Sequence, residues 1–412
     1  MNVLFIHQNF PGQFKHLSIE LANQGHNVVA LHMNTSCELK EWNGVKLFAY
    51  SPLRGSAADS HFLAKDFETK VLRAEGCLNA AQKLSSDGFK PDVIVAHPGW
   101  GESMFVKHVW PKAKLGIYCE FYYLLTGTDF DFDPEFSYPE ITESCNVQLK
   151  NFTNWVHFEI ADLGLSPTRW QANTYPHPFR EKISVIHEGI DTNFLIPNDE
   201  VIITLEDGIR LSKSDEIITF VNRNLEPCRG FHTFMRSLPK LLDLRSNAHV
   251  FIVGGDEISY GRKPINDISW RAKYLKEISN ELTGNMRSRI HFVGKLPYKT
   301  YVQLLQISTV HVYLTYPFVL SWSLLESMSL GCSIIASDTQ PLHEVITNRK
   351  TGILVDFFDS KSLALEINNL INNSSLRKEL SCNARSFAVE NFDLNTICLP
   401  RQLEWIDQLQ SI

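Results

Sequence analysis

Arg223 and Arg229 stand six residues apart in NRNLEPCRGF, and Glu326 stands in SWSLLESMSLG. These are the side chains of the chain best suited to hold an anion beside a pair of hydroxyls. The planar donor fork of arginine matches phosphate oxygens, and two such groups on one loop can clamp a diphosphate from both sides. Ser323-Leu-Leu-Glu326 has the spacing of a capping box, which predicts a helix starting at Ser323. The loop Pro317–Ser323 before that helix then lies beyond the end of a strand, where a helix N-terminus favours negative charge. A carboxylate one turn in could reach vicinal hydroxyls, so phosphate next to ribose is the natural ligand. The bland reading is two surface arginines on a strand-to-helix loop and a glutamate that only caps its helix.

Weaker candidates surround these. Gly12 follows the first predicted strand in HQNFPGQ and allows close backbone approach, but it is one glycine rather than a glycine-rich motif. His97 in VIVAHPG and Glu120 in GIYCEFYY end two apolar strands. A lone histidine or glutamate there is more often structural. Two at one sheet edge suit positive-charge stabilisation or orientation of an acceptor hydroxyl. Gly254-Gly255-Asp256 and Gly294-Lys295-Leu296-Pro297-Tyr298 follow strands and are either plain turns or pocket walls. The run TGTDFDFDPEFSY (126–138) offers Asp129, Asp131 and Asp133. It lies in a long loop far from the phosphate motif, so it reads as an acceptor-side loop rather than a metal site.

Two cores are needed to place these groups. At 412 residues the chain exceeds one ordinary domain. Its 44% hydrophobic and 21% charged content is that of a globular protein, and a net charge of −7 carries no nucleic-acid footprint. No apolar run approaches the roughly 18–20 residues of a membrane span. The N-terminus reads as strand and loop, not as a signal peptide. Eight cysteines, Cys37 among them, are scattered without a C-x-x-C pair and read as reduced thiols of a cytoplasmic protein.

Strands alternate with helices twice over, which predicts two mostly parallel α/β sheets. Strands are expected at 3–6, 27–31, 45–50, 93–97, 115–119, 163–166 and 183–187, with long helices over 59–84 and 144–160. A second series falls at 217–222, 249–253, 290–293, 311–314, 333–337 and 353–356. The stretch 189–214, with Pro197 and Asp207-Gly208, reads as a linker with an excursion. A last helix spans roughly 394–410. The expected units are residues 1–190 and 191–390, with 391–412 as a terminal helix.

The run from His311 to Ile346 resembles the nucleotide-sugar site of glycosyltransferase family 4, the retaining enzymes with two Rossmann-like domains facing across a cleft (GT-B). Glu326, Ser327-Met328-Ser329-Leu330-Gly331 and Ile335-Ala336-Ser337 match its second glutamate and the segment after it. Asn222-Arg223 and Arg229-Gly230 match its G-R-x5-K-G with two replacements. Phe318 stands where the family has its first glutamate, which contacts the donor sugar.

The resemblance implies a retaining hexosyl transfer from a nucleoside diphosphate sugar, UDP-linked by preference, to a saccharide, lipid or other hydroxyl acceptor. It implies reacting-site roles for Arg223, Arg229, Glu120 and His97. It implies donor contacts from Gly12, Gly254, Gly255, Lys295, Leu296, Phe318, Leu320, Ser321, Trp322, Ser323 and Glu326. It implies no cofactor and no metal, an acceptor-binding first domain, a donor-binding second domain and a terminal helix returning to the first. Nucleic acid is not an expected partner; peripheral membrane docking and a homodimer stay open. The alternative, raised by Phe318, is a non-catalytic nucleotide-sugar-binding partner of an active transferase.

Overall fold

The computed structural model describes residues 1–34, 39–136, 141–206 and 208–412. Cys37, Asp207 and the end of the acidic run, Ser137-Tyr138, lie outside the described residues. The chain forms two units: Met1–Gly189 together with Leu394–Ile412, and Ile190–Asp393.

The first unit is built on strands β1 (Asn2–Ile6), β2 (Asn27–His32), β3 (Glu41–Trp42), β4 (Val45–Ala49), β5 (Val93–Ala96), β6 (Lys114–Tyr118), β7 (Leu163–Ser166) and β8 (Ile183–Val185). Their order is β3-β4-β2-β1-β5-β6-β7-β8, parallel except for the β3–β4 hairpin. Both faces are covered. Leu4 and Ile6 join one core with Ile94 and Ile117, whereas Val3 and Phe5 join the other with Val28 and Val93. A sheet buried on both sides needs continuous apolar strands, which is why these read as unbroken hydrophobic runs.

The second unit opens with an antiparallel pair, β9 (Ile202–Thr204) and β10 (Arg210–Ser212), within the stretch expected to be a linker. It continues with β11 (Ile217–Asn224), β12 (His249–Gly255), β13 (Ile290–Gly294), β14 (Val310–Tyr313), β15 (Ile334–Ser337) and β16 (Ile353–Val355). These six strands are parallel in the order β13-β12-β11-β14-β15-β16. The helix Phe231–Leu244 buries Phe231, Phe234, Met235, Leu238, Leu241 and Leu242, a stripe at three- and four-residue spacing.

Three local readings need correction. The long helix covers Phe62–Ser86. The helix expected over 144–160 is two, Ile141–Lys150 and Phe152–Ile160. Between them the Asn151 side chain turns away to pair with the Tyr123 backbone, donating to its carbonyl at 2.7 Å and accepting its N–H at 2.9 Å. The last helix is Leu399–Ser411, preceded by a π-helical turn at Leu394–Cys398.

Candidate functional site

In each sheet the first strand is followed by one neighbour on one side and a later one on the other. The strand order therefore reverses beside β1 and beside β11, and ligands of open α/β sheets sit at such points, beyond the carboxyl ends of the strands.

In the second unit the reversal lies between β11 and β14. Arg229 leaves the β11 loop, is buried, and donates through Nη1 to Thr315 Oγ1 at 2.9 Å and to the Val319 carbonyl at 3.0 Å. Both partners lie in the loop after β14. Gly230 permits the approach: its φ is +69°, and a Cβ there would stand 2.2 Å from Leu314 Cβ. Phe318 is buried, and Arg229 Cζ lies 5.5 Å from its ring centroid and 5.3 Å from that of Tyr260. The two rings meet edge to face at 5.1 Å, so the position lacking the family glutamate carries an aromatic seat for a guanidinium.

The helix after this loop spans Trp322–Ser329, and its cap is Ser321, not Ser323. The Ser321 hydroxyl accepts from the Ser323 N–H, and its own N–H donates to the Tyr313 hydroxyl at 3.0 Å. The expected capping box is therefore absent. Glu326 sits too far along the helix to close it and instead accepts from the hydroxyls of Tyr298 at 2.8 Å and Tyr301 at 2.7 Å. Leu320 is buried, and Trp322 is 42% exposed at the start of the helix.

Arg223 lies inside β11 rather than after it and is exposed. Beside the end of β12, Lys295 pairs with Glu257 at 2.7 Å. That hydrogen bond, with Arg223 farther out, holds the Glu257 carboxyl below the usual carboxylate range. A Cβ on Gly255 would meet the Asn224 side-chain amide and Lys295 Cε, each at 2.6 Å; Gly254 precedes it, and Leu296 packs on the core. The structure thus joins Arg229, Phe318 and the loop to Ser323 directly. Lys295, Gly255 and Arg223 form a neighbouring group, and Glu326 is held by its own pair of tyrosines.

In the first unit the reversal lies between β1 and β5, and a histidine follows each: His7 and His97, with ring centroids 5.6 Å apart. His7 Nδ1 accepts from the Asn9 N–H at 3.0 Å, so Nε2 donates to Gln13 Oε1 at 2.8 Å. The Gln13 amide then donates to Glu120 Oε1 at 3.1 Å. His97 Nδ1 accepts from the Gly99 N–H at 3.2 Å, which leaves its Nε2–H facing Glu120 Oε2 at 3.4 Å.

Burial acts to raise the pKa of Glu120, but His97, His7 and Gln13 outweigh it and hold the carboxyl below its ordinary value. Burial and the neighbouring His97 push His7 down to about 4, so it is neutral at pH 7. The space a side chain at Gly12 would need is filled by the His7 ring, 2.4 Å from the built Cβ.

A cavity of about 410 Å³ adjoins this group, lined among others by Trp100, Tyr118, Phe121, Tyr123 and Lys150. Tyr118 donates to the buried carboxylate of Glu188. In the acidic run, Asp131 and Asp133 accept the N–H groups of Gly127 and Glu135, the work of turn residues. Among the described residues no group of three His, Cys, Asp or Glu is placed to hold a metal ion, and no helix is long and apolar enough to cross a membrane. No disulfide links the described cysteines.

Sequence reading missed His7, Gln13, Glu226, Tyr260 and Tyr301. His7 follows its strand as His97 does, and Tyr298-x-x-Tyr301 is a helical pair facing one direction; both were findable signals. Tyr260 lies on an irregular loop and gives none.

The glycosyl transferase family 4 group pattern matches residues 24–195, and that of glycosyl transferases group 1 matches residues 203–387. The chain belongs to the family 4 glycosyltransferases. An uncharacterized glycosyltransferase of Methanocaldococcus jannaschii is 32% identical over 115 residues, 27% of this chain and 29% of that protein. The D-inositol 3-phosphate glycosyltransferase of a Nocardioides species is 22% identical over 207 residues, 49% of this chain and 44% of its own. The phosphatidyl-myo-inositol mannosyltransferase of Mycolicibacterium smegmatis is 24% identical over 190 residues, 44% of each. The chain spans less than half the length of these curated relatives.

Among solved structures, sucrose-phosphate synthase from Thermosynechococcus elongatus superposes with TM-score 0.73 at 15% identity over 100% of both chains. Anabaena HepE in complex with UDP does so at 0.66 and 16%, over 99% of this chain and 100% of its own. These likenesses establish the fold that this family 4 member shares with them.

Proposed function

We propose that the chain transfers a sugar from a nucleoside diphosphate sugar to a hydroxyl of a saccharide, lipid or other glycoconjugate, with retention. The observation that carries this reading is the seat of Arg229. A buried guanidinium bridges the loops after β11 and β14 at the reversal point, beside the start of the helix Trp322–Ser329. In the reaction the bond from the anomeric carbon to the diphosphate oxygen breaks, the acceptor oxygen bonds that carbon, and the acceptor loses its proton.

Arg229 and Arg223 neutralise the charge that grows on the departing diphosphate, with the helix N-terminus adding to the field. This positive field supplies what a metal ion would otherwise provide, so EDTA leaves the rate unchanged. Glu326 accepts ribose hydroxyls, oriented by its two tyrosines. The second unit is thus the donor unit. The first is the acceptor unit, where Glu120, flanked by His97, orients the acceptor hydroxyl. Aromatic walls with a carboxylate and a lysine suit a polyhydroxyl acceptor. A UDP-linked donor is supported by similar proteins solved with UDP and with UDP-glucose.

The purified chain, given UDP- and GDP-sugars, is expected to gain thermal stability with UDP and to release UDP from a UDP-sugar. No thermal shift with UDP or GDP, together with no hydrolysis or transfer from any donor, overturns the proposal. Phe318 favours one second reading, a binding partner without turnover, because a phenyl ring accepts no hydrogen bond from a sugar. UDP binding with no turnover, unchanged by Phe318→Glu, would establish that reading instead.

A further inference from the structure

Glu226 is 1% exposed, and its carboxylate is met by backbone N–H groups. Oε2 accepts the Ser259 N–H at 2.9 Å, and Oε1 accepts those of Tyr260 at 3.1 Å and Gly261 at 2.9 Å. Three successive backbone donors converging on one carboxylate form the kind of concavity that binds anions, here filled from within. The segment they belong to follows β12 and is largely exposed, with Ile265 83% and Ile268 94% exposed. A second tie joins it to β11: the Ser259 hydroxyl donates to the Asn224 amide oxygen at 2.7 Å.

The residue at the centre of this nest is Tyr260, whose ring covers Arg229 and meets Phe318. Glu226 also starts the turn that carries Arg229, since its carbonyl accepts the Arg229 N–H at 3.1 Å. One residue therefore fixes both the guanidinium's backbone, through its main chain, and the aromatic cover, through its side chain.

We propose that Glu226 is a positioning residue for donor binding. It pins Tyr260 onto Arg229, so that the guanidinium meets a nucleoside diphosphate already oriented and shielded from water on that side. This role rests on the donor reading above and adds a residue that touches neither nucleotide nor sugar. The physical gain is preorganisation: an arginine fixed on one side by Thr315 and Val319 and on the other by an aromatic face loses little freedom when phosphate arrives.

The test uses the full chain and has two arms. In the absence of nucleotide, hydrogen exchange at the amides of Ser259, Tyr260 and Gly261 is slow in the native protein and at least about tenfold faster in Glu226→Gln, whose amide cannot accept all three bonds. By calorimetry with UDP as the probe, Glu226→Gln and Tyr260→Ala each weaken affinity about tenfold, and the double variant is no weaker than either single one. Tyr260→Phe, which keeps the ring, retains the native affinity.

The proposal is overturned if the two losses add in the double variant, because Glu226 then acts independently of Tyr260. It is equally overturned if Tyr260→Ala binds UDP as the native chain does, a result that does not depend on how Glu226→Gln folds. A native chain that binds no nucleotide, with exchange still slow at 259–261, overturns the donor reading itself. Fast exchange in a native chain that binds UDP overturns only the role of Glu226.

Discussion

The two sheets reverse their strand order in the same way but furnish the reversal with opposite chemistry. Beside β11 the group that spans it is a permanently charged guanidinium locked by a hydroxyl, a carbonyl and two rings. Beside β1 it is a pair of histidines around one carboxylate, His7 through Gln13 and His97 directly. The first arrangement presents a fixed positive charge. The second is built from two imidazoles and a carboxylate, groups suited to protons and hydroxyls. A shared scaffold says where a ligand goes, and the side chains after the strands say which kind.

The sharpest break in this contrast is Arg229→Ala. It is expected to lower kcat/KM about a thousandfold and to abolish the thermal shift with UDP, because it removes the charge opposite the leaving diphosphate. Glu120→Gln is the reciprocal case. Turnover should fall about a hundredfold while UDP affinity, read by calorimetry, stays within about twofold of the native value. If both variants lose UDP binding, the division of labour between the sheets fails.

Gly230→Ala tests the scaffold rather than the charge. A methyl group at φ +69° and 2.2 Å from Leu314 Cβ should cost about 2 kcal/mol, visible as a lower denaturation midpoint in urea.

The effect least specific to either sheet is a pH dependence. Burial depresses His157 and His7 to about 4 and His187 and His311 to about 3, from 6.5. For each, the unfolded chain binds a proton more readily than the folded one. The stability they confer is therefore full above about pH 6.5 and is lost as pH falls towards 4, at roughly 1 kcal/mol per pH unit for each histidine and about 3 kcal/mol over that window. His157 is the clearest example: Nδ1–H donates to the Thr153 carbonyl at 2.6 Å, and Nε2 accepts from Ser103 at 2.7 Å, so a second proton breaks a bond. Melting curves at pH 7.5, 6 and 5 should fall steadily, and His157→Gln should flatten the trend.

Much of this arrangement was legible in the amino-acid order. Strands buried on both faces announce themselves as apolar runs, and Arg223, Arg229, His97 and Glu120 were visible because each follows or ends one. The rest depended on contacts between segments far apart in sequence. Ser323-x-x-Glu326 satisfied a local rule, yet Tyr298 and Tyr301 from an earlier helix claimed the carboxylate and Ser321 took the cap. The helix expected to run unbroken to residue 160 broke at Asn151 because Tyr123, twenty-eight residues earlier, offered both backbone groups. Glu226 lay in plain view between the two arginines. Its partners come from a loop with no regular pattern, and periodicity cannot read such a loop.

The helix Leu399–Ser411 belongs to the first unit, and its Trp405 ring lies where any side chain on Gly116 of β6 would have to go. The part of that sheet face beneath Trp405 stays uncovered while the ribosome makes the whole second unit, because residues 190–393 precede its plug in the chain. Nascent chains should accordingly expose an oily surface until Trp405 emerges, a window in which chaperone capture would be most needed.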